Sequence, residues 1–145
     1  GPDREPKLHE TWLAAIGAFA GKRIVIGGKS MGGRIASLVA DEAGVAGLVC
    51  LGYPFHPVGK PETLRTEHLR HLQTPTLICQ GTRDPFGSKE EVSGYPLSPA
   101  IHLAWFDDGD HDLKPRKRVS GLTHADHMQR MGSAVSAWIA GLEGM

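Results

Sequence analysis

Residues 23–40 read RIVIGGKSMGGRIASLVA, in which an apolar run, a glycine-rich turn and a second apolar segment follow one another directly. Residues 23–27 are a short apolar run rich in β-branched side chains, which predicts a strand. The next five residues, 28–32, fit the pattern G-x-S-x-G with Ser30 at its centre. From Ser30 onward apolar side chains recur at helical spacing, so a helix is predicted to begin there. The order of strand, glycine-rich turn and helix is typical of an α/β protein.

The G-x-S-x-G turn has the chemistry of a nucleophile elbow. A serine hydroxyl is a weak nucleophile and must stand clear of the backbone to meet both a base and a substrate carbonyl. We expect the turn to lift Ser30 to its tip, and Gly28 and Gly32 to remove side chains that would clash with neighbouring elements. The N–H of Met31, at the start of the helix, is the expected donor to a developing oxyanion.

Two other interpretations of this turn remain open. It can be a structural glycine-rich turn, because the pattern fixes only three of its five positions. It can also be the end of a phosphate loop, since residues 28–30 spell Gly-Lys-Ser. The phosphate loop is disfavoured because its first glycine would fall at Arg23.

Composition and charge restrict the class of protein. The chain has 145 residues, and we expect residues 1–145 to form one domain. It holds 16 Lys plus Arg and 16 Asp plus Glu, so its zero net charge gives no reason to expect a nucleic acid or an anionic membrane as the main partner. No apolar run could cross a bilayer and no secretory signal opens the sequence, which predicts a cytoplasmic protein. Cys50 and Cys79 lie in predicted strands and are expected to be reduced.

The rest of the chain alternates predicted strands and helices. Strands are predicted in three further segments, namely residues 47–52, 76–80 and 100–106. Helices are predicted in four further segments: an amphipathic one over residues 8–19, short ones over 62–72 and 88–92, and a last one that begins at a capping box in 123–126. This alternation predicts an α/β fold with a mainly parallel sheet of about four strands flanked by helices.

Two residues that follow the later strands complete a catalytic constellation with Ser30. Asp84 follows the third predicted strand and His111 the fourth, and loops at the carboxyl ends of parallel strands share one edge of a sheet. The chain order Ser, Asp, His is that of hydrolases built on such an elbow. We expect His111 to take the serine proton and Asp84 to orient the imidazole. Asp110 and Asp112 are rival partners for His111, but direct neighbours point apart in an extended loop, so Asp84 is preferred.

Candidate substrate-binding residues lie beside the same edge. Lys29 directly precedes the serine, and Phe86 lies in the turn after the third predicted strand. Tyr53, Phe55 and His56 lie in an irregular, proline-rich loop after the second predicted strand. Loops in these places are where α/β proteins gather their binding residues.

The sequence predicts neither a cofactor nor a metal ion. His124 and His127 lie three residues apart, but a metal site would need further ligands, and an exposed helix start explains them better. The basic run at residues 114–118 is interpreted as a solvated loop, with attraction of an anionic substrate as the alternative.

Four segments of the chain carry a resemblance to a known family. GGKSMGGRIAS, CLGYPFHPVGKPE, TPTLICQGTRDPFG and DGDHDLKP resemble a bacterial α/β-hydrolase family related to dienelactone-hydrolase-like proteins and to the animal testis-expressed and NSL-complex homologues. The resemblance covers nearly the whole chain. It implies the α/β-hydrolase fold, with Ser30 as nucleophile, Asp84 as acid and His111 as base.

One departure from the family pattern bears on function. Proteins of this kind normally have further strands before the first helix, and a loop there supplies a second oxyanion donor. The chain is therefore expected to be the C-terminal part of a larger hydrolase or a natural short form, with a half-built oxyanion hole. The strand before the elbow would then form a sheet edge, through which we expect association with another chain.

Together these patterns predict a cofactor-independent serine hydrolase. Its substrate would be a small molecule with an ester, thioester or related acyl bond. The alternative is a non-catalytic protein of the same fold that serves as an interaction module.

Overall fold

A sheet of four parallel strands forms the centre of the computed structural model, which describes residues 10–11 and 23–143. The strands are β1 (Val25–Lys29), β2 (Gly47–Leu51), β3 (Thr76–Gly81) and β4 (Ile101–Phe106), which lie side by side in that order. The helices are α1 (Met31–Ala43), α2 (Lys89–Val92), α3 (Lys117–Ser120) and α4 (His124–Glu143). The predicted α/β class and the mainly parallel sheet are confirmed. The helix predicted over residues 8–19 lies outside the described residues except for Glu10 and Thr11.

Helices cover both faces of the sheet. Ile78 of β3 packs in the core cluster on the α1 side, whereas Leu77 and Cys79 pack on the opposite face against α4. This alternation explains why β3 reads as a continuous apolar run, since both of its faces are buried. Cys50 lies on the α1 side, so the two cysteines are separated by the sheet, and both are free thiols, as predicted. Burial raises the pKa of Cys79 to about 11.

The first strand lies two residues closer to the elbow than predicted. The prediction placed it over residues 23–27, whereas β1 spans Val25–Lys29 because its parallel ladder with β2 continues through both glycines. A Cβ atom on Gly27 would lie 2.6 Å from the carbonyl oxygen of Val49, so the close approach of β2 requires a glycine there. The turn itself is therefore confined to Ser30.

The prediction of a helix over residues 62–72 is wrong. The segment consists of turns and a single 3₁₀ turn, His68–Arg70. Its backbone bonds to a neighbouring loop, since the N–H of Arg65 donates to the carbonyl of Phe55 (2.8 Å), and Leu69 is buried in the core. These tertiary contacts outweigh the helical propensity of the segment.

Both predicted helix caps are confirmed. Ser88 Oγ accepts a hydrogen bond from the N–H of Glu91 (3.3 Å), and the Glu91 carboxylate accepts one from the N–H of Ser88 (3.1 Å). Thr123 and Asp126 form the same reciprocal pair at the start of α4 (3.1 and 2.8 Å). Helix α3 was not predicted, because its residues overlap the basic run that was interpreted as a loop.

The topology gathers four loops at one edge of the sheet. The elbow after β1 and the loops after β2, β3 and β4 all leave the carboxyl ends of parallel strands. Strand β1 is an edge strand of the sheet that the described residues form. None of the helices in the described ranges combines the length and apolarity that crossing a bilayer requires.

Candidate active site

Ser30 occupies a sharp turn between β1 and α1. Its backbone angles are φ 53° and ψ −122°, a region that side-chain-bearing residues rarely adopt. Such strain costs about 1–3 kcal/mol and persists only where the surroundings impose it. Here the N–H of Ser30 donates to the carbonyl of Leu51 (2.9 Å), and its own carbonyl accepts from the N–H of Arg34 (3.1 Å). These bonds hold the hydroxyl at the tip of the elbow.

The two glycines of the motif have unequal roles. A Cβ atom on Gly28 would lie 2.6 Å from the carbonyl carbon of Gly32, because α1 starts directly over the strand. A Cβ atom on Gly32 would meet nothing within 4 Å among the described residues beyond its chain neighbours and the backbone of its own helix, so the predicted clash with neighbouring elements is not found. The close approach after the serine falls at Gly33, where a Cβ would lie 2.7 Å from the carbonyl oxygen of Gly28.

This difference predicts opposite effects of the same substitution. Gly28→Ala is expected to destabilise the protein by about 1–3 kcal/mol, because backbone atoms cannot move away from the added methyl group. Gly32→Ala is expected to leave stability unchanged or raise it by up to about 1 kcal/mol, since alanine favours the helix. Urea unfolding of both variants tests this, and an equal loss in the two would contradict it.

The structure brings Ser30, His111 and Asp84 into one hydrogen-bonded line. Ser30 Oγ lies 2.8 Å from Nε2 of His111, and Nδ1 of His111 lies 2.8 Å from Oδ2 of Asp84. The Asp84 side chain is fully buried, whereas that of His111 is 19% exposed. A buried carboxylate next to Nδ1 fixes the tautomer with its proton on Nδ1, so Nε2 is free to accept the serine proton.

Asp84 is held by further donors. Its Oδ1 accepts from the N–H of Phe86 (2.8 Å), and its Oδ2 also accepts from the side-chain amide of Gln80 (3.1 Å). The Phe86 ring packs on the His111 ring, with centroids 4.3 Å apart. Phe86, a candidate substrate-binding residue, therefore contacts His111 directly. Gln80 was not singled out from the sequence, where it is one polar residue at the end of an apolar strand.

The two rival carboxylates have other partners. Asp110 accepts hydrogen bonds from two backbone N–H groups of its own loop (2.8 and 2.9 Å). Asp112 forms an ion pair with Lys29 (2.5 Å), and hydrogen bonding to this lysine lowers the pKa of Asp112. Lys29 is thus engaged at the surface beside Ser30. This arrangement supports the choice of Asp84 as the partner of His111.

Three candidate substrate-binding residues pack inside the protein. Tyr53 and Phe55 are fully buried, with ring centroids 4.8 Å apart, and His56 is buried as well. His56 donates to the carbonyl of Pro57 (2.7 Å) and to the carboxylate of Glu91 (3.0 Å). Burial opposes the charged form of His56, but these two hydrogen bonds outweigh it and raise its pKa. The three side chains therefore pack the loop and offer no surface to a substrate, which corrects the prediction.

Asp108 holds the loop that carries His111. It has φ 59°, and its carboxylate accepts from the backbone N–H of Arg116 (2.7 Å) and from the guanidinium of the same residue (2.5 Å). Arg83 donates to the backbone carbonyl of Asp108 (2.7 Å). The hydrogen bonds from Arg116 lower the pKa of Asp108 to about 2. The two ends of the loop are thereby joined on either side of His111.

The hydrogen bonds between Asp108 and Arg116 predict a pH-dependent contribution to the stability of the folded protein. Because the pKa of Asp108 in the folded protein lies below its ordinary value, its contribution is present in full above about pH 4 and is lost as the pH falls towards 2. Asp108→Asn is expected to be less stable than wild type at pH 7, with a difference that shrinks at pH 3. Urea unfolding at both pH values measures this. Asp107→Asn, at the exposed neighbouring position, is the control, and a difference independent of pH would contradict the prediction.

His127 ties α4 to the same loop. It was predicted to lie at an exposed helix start, but it is buried, and its Nδ1–H donates to the carbonyl of Leu113 (2.7 Å). Its ring meets the ring of Phe106 edge-on, with centroids 5.4 Å apart. His124 is exposed as predicted. The sequence carries no local sign of this difference, because it depends on where the loop lies against the helix.

A cleft of about 350 Å³ opens beside His111. Apolar side chains from β2, the loop after β4 and α4 line it: Leu51, Leu113, Met128 and Met131. Lys29, Asp112, Lys114 and His124 also line it. The cleft gives room for an apolar group next to the His111 ring.

A second serine–histidine pair lies away from this site. Ser37 Oγ is 2.8 Å from Nε2 of His68. Ser37 is buried within α1, and its hydroxyl donates to the carbonyl of Arg34 in the preceding turn (2.5 Å). A buried hydroxyl that bonds to its own helix has no access to a substrate. We interpret this pair as a structural link between α1 and the 3₁₀ turn.

Similarity to known proteins leads to the same fold. Residues 1–140 match the alpha/beta hydrolase domain family. The chain belongs to this family. The predicted resemblance to bacterial α/β-hydrolases is thereby confirmed, and it accounts for the elbow between β1 and α1.

Individual relatives of this α/β-hydrolase are larger proteins. Carboxymethylenebutenolidase from Pseudomonas sp. (strain P51) is 32% identical over 100 residues, which make up 66% of this chain and 40% of that protein. A serine hydrolase involved in carbazole degradation, the CarC enzyme, has a TM-score of 0.71 at 16% identity, over 97% of this chain and 74% of that one. The esterase domain of a Rhodothermus marinus protein has a TM-score of 0.65 at 17% identity, over 95% and 68%. The structural likeness at these identities shows the fold alone.

Proposed function

We propose that this α/β-hydrolase is a serine hydrolase with Ser30 as nucleophile, His111 as general base and Asp84 as the acid that orients the base. The observation that carries the proposal is the continuous line from the Ser30 hydroxyl through the His111 ring to the buried Asp84, with 2.8 Å at each step. Membership of a hydrolase family supports it. Relatives named as a serine hydrolase and an esterase domain agree with the reaction class.

The proposed reaction follows from the geometry. As Ser30 Oγ attacks the acyl carbon, Nε2 of His111 takes the hydroxyl proton, and Asp84 stabilises the imidazolium through Nδ1–H. The tetrahedral intermediate collapses when Nε2 returns that proton to the leaving group, which departs and leaves an acyl-serine. A water molecule, deprotonated by His111, then attacks the acyl-serine, and the acid product is released with the serine restored.

Met31 is proposed to stabilise the oxyanion. It is the first residue of α1, and the N–H groups in the first turn of a helix have no partner within the helix. They carry the positive end of the helix dipole and lie next to Ser30. A donor at this position is worth about 3 kcal/mol to the transition state in comparable hydrolases.

The proposed substrate is a small molecule with an ester, thioester or related acyl bond. The apolar cleft beside His111 supports this class, because it adjoins the base that serves the scissile bond. The free, buried Cys50 and Cys79 support a reducing compartment, and we propose the cytoplasm.

Fluorophosphonate labelling tests the nucleophile. We expect one adduct by intact mass on the wild-type protein and none on Ser30→Ala, because the probe reacts with activated serines. Ser37→Ala is the matched control and is expected to label like wild type, since the buried Ser37 is not part of the proposed site. An adduct that persists on Ser30→Ala, or a wild-type protein that does not label, would contradict the proposal.

An interaction module is the second candidate function. The position of β1 at the edge of the described sheet favours it, because an edge strand offers unpaired backbone groups to another chain. Under this alternative, Ser30→Ala would leave the association of the protein with its partner chain intact. We expect association through the β1 edge, and a strictly monomeric species at micromolar concentration in light scattering would count against it.

A further inference from the structure

The side chain of Gln80 is fully buried at the carboxyl end of β3. It shares the α1 face of the sheet with Ile78, two residues before it. A buried amide is costly unless its oxygen and its N–H groups find partners. Its Oε1 accepts a hydrogen bond from the N–H of Tyr53 (2.8 Å), which sets the orientation of the amide.

The nitrogen of the same amide faces three acceptors. Gln80 Nε2 lies 3.1 Å from Oδ2 of Asp84, 3.0 Å from the carbonyl oxygen of Gly87 and 3.1 Å from that of Tyr53. It has only two hydrogens, so one of them is shared. The amide therefore joins the loop after β2, the turn after β3 and the carboxylate of Asp84.

The Asp84 oxygen that Gln80 contacts is the one that His111 uses. Oδ2 accepts from Nδ1–H of His111 (2.8 Å) and from Gln80, while Oδ1 accepts from the N–H of Phe86 (2.8 Å). Donors on both oxygens fix the plane of the carboxylate. Among the donors from the described residues, the loss of Gln80 would leave Asp84 with the Phe86 N–H and with His111, the residue that it has to orient.

We propose that Gln80 is a positioning residue, whose amide holds Oδ2 of Asp84 where Nδ1–H of His111 donates to it. The inference rests on the proposed hydrolase function of Ser30, His111 and Asp84. Packing alone does not account for Gln80, because an apolar residue of similar size would fill the space but leave the N–H of Tyr53 and Oδ2 of Asp84 without this partner. An amide is required here because it supplies one acceptor and two donors in one plane.

Two substitutions at Gln80 test the proposal. Gln80→Met keeps the size and removes every donor, and Gln80→Glu keeps the shape but turns a carboxyl oxygen towards three acceptors. We expect the rate constant of fluorophosphonate labelling at Ser30 to fall about 10- to 100-fold in each, because displacement of an orienting group by about 1 Å has effects of this size. Gln73→Glu, at an exposed position, is the control and is expected to label at the wild-type rate.

Proton NMR separates positioning from a general loss of structure. The Nδ1–H proton of His111 has its own downfield resonance when it is hydrogen-bonded to a carboxylate. We expect this resonance to shift in those Gln80 variants that are folded, as judged by a cooperative thermal unfolding transition. In the wild type, the side-chain amide protons of Gln80 are expected to exchange with solvent far more slowly than those of Gln73. If neither variant folds, this second measurement still tests whether the Gln80 amide is held by its hydrogen bonds in the wild type.

The outcomes distinguish this inference from the function on which it rests. An unlabelled wild-type protein would remove the hydrolase proposal, while the NMR measurements would still test whether Gln80 holds the Asp84–His111 pair. Folded Gln80 variants with a wild-type labelling rate and an unshifted His111 resonance would overturn the positioning role. A Gln80 amide that exchanges as fast as that of Gln73 would overturn it as well.

Discussion

His111→Ala is expected to lower the rate constant of fluorophosphonate labelling at Ser30 by about 10⁴- to 10⁶-fold, the loss seen when the base of such a triad is removed. The physical reason is that Nε2 of His111, 2.8 Å from Ser30 Oγ, is the group that takes the hydroxyl proton. Without it the serine must react as a neutral alcohol. Time-resolved intact mass measures the rate, and hydrolysis of p-nitrophenyl acetate provides a second readout.

A histidine that takes no part in the hydrogen bonds between Ser30, His111 and Asp84 serves as the control for this prediction. His102 is exposed on β4 and is not among the residues that line the cleft beside His111. His102→Ala is expected to label at a rate close to that of wild type. If His111→Ala retained the wild-type rate, His111 would not be the base and the proposed mechanism would be wrong.

The second large effect is expected from Asp84→Asn, at about 10⁴-fold in the same rate constant. An asparagine at this buried position can turn its NH₂ group towards Nδ1 of His111. The ring would then carry its proton on Nε2, where it could no longer accept the proton of Ser30. The same NH₂ group would also face the side-chain nitrogen of Gln80, which lies 3.1 Å from Oδ2, so we expect a loss of stability beside the loss of rate. Labelling kinetics and urea unfolding of the same preparation separate the two.

Asp112 provides the matched carboxylate for this comparison. It is adjacent to His111 in sequence but pairs with Lys29 at the surface. Asp112→Asn is expected to change the labelling rate little. A large loss in Asp112→Asn with none in Asp84→Asn would reassign the acid to the neighbour of the base.

Much of the fold follows from local patterns. The elbow is encoded within a few residues, because a β-branched run, glycines around Ser30 and an apolar helical stripe follow one another directly. The caps at Ser88 and Thr123 are local as well, since each closes over three residues. The parallel direction of the strands follows from their alternation with helices, whereas the order of the strands in the sheet is seen in the structure.

The placement of Asp84 and His111 near Ser30 could also be predicted. Both follow strands, and parallel strands present their carboxyl ends at one edge, so the topology brings together residues that lie far apart in the chain. The sequence indicates the strands, and the rule of parallel packing supplies the proximity. No knowledge of side-chain contacts was needed for this step.

Local patterns in the chain thus predict the elbow, the helix caps, the parallel sheet and the edge at which Ser30, Asp84 and His111 would lie. Contacts between distant segments, by contrast, place the close approach at Gly33 instead of Gly32 and pack residues 62–72 as a loop. They also turn Gln80 towards Asp84. The reason is physical: propensity and periodicity act between near neighbours in the chain, whereas close approach and the pairing of buried polar groups depend on which distant segments meet.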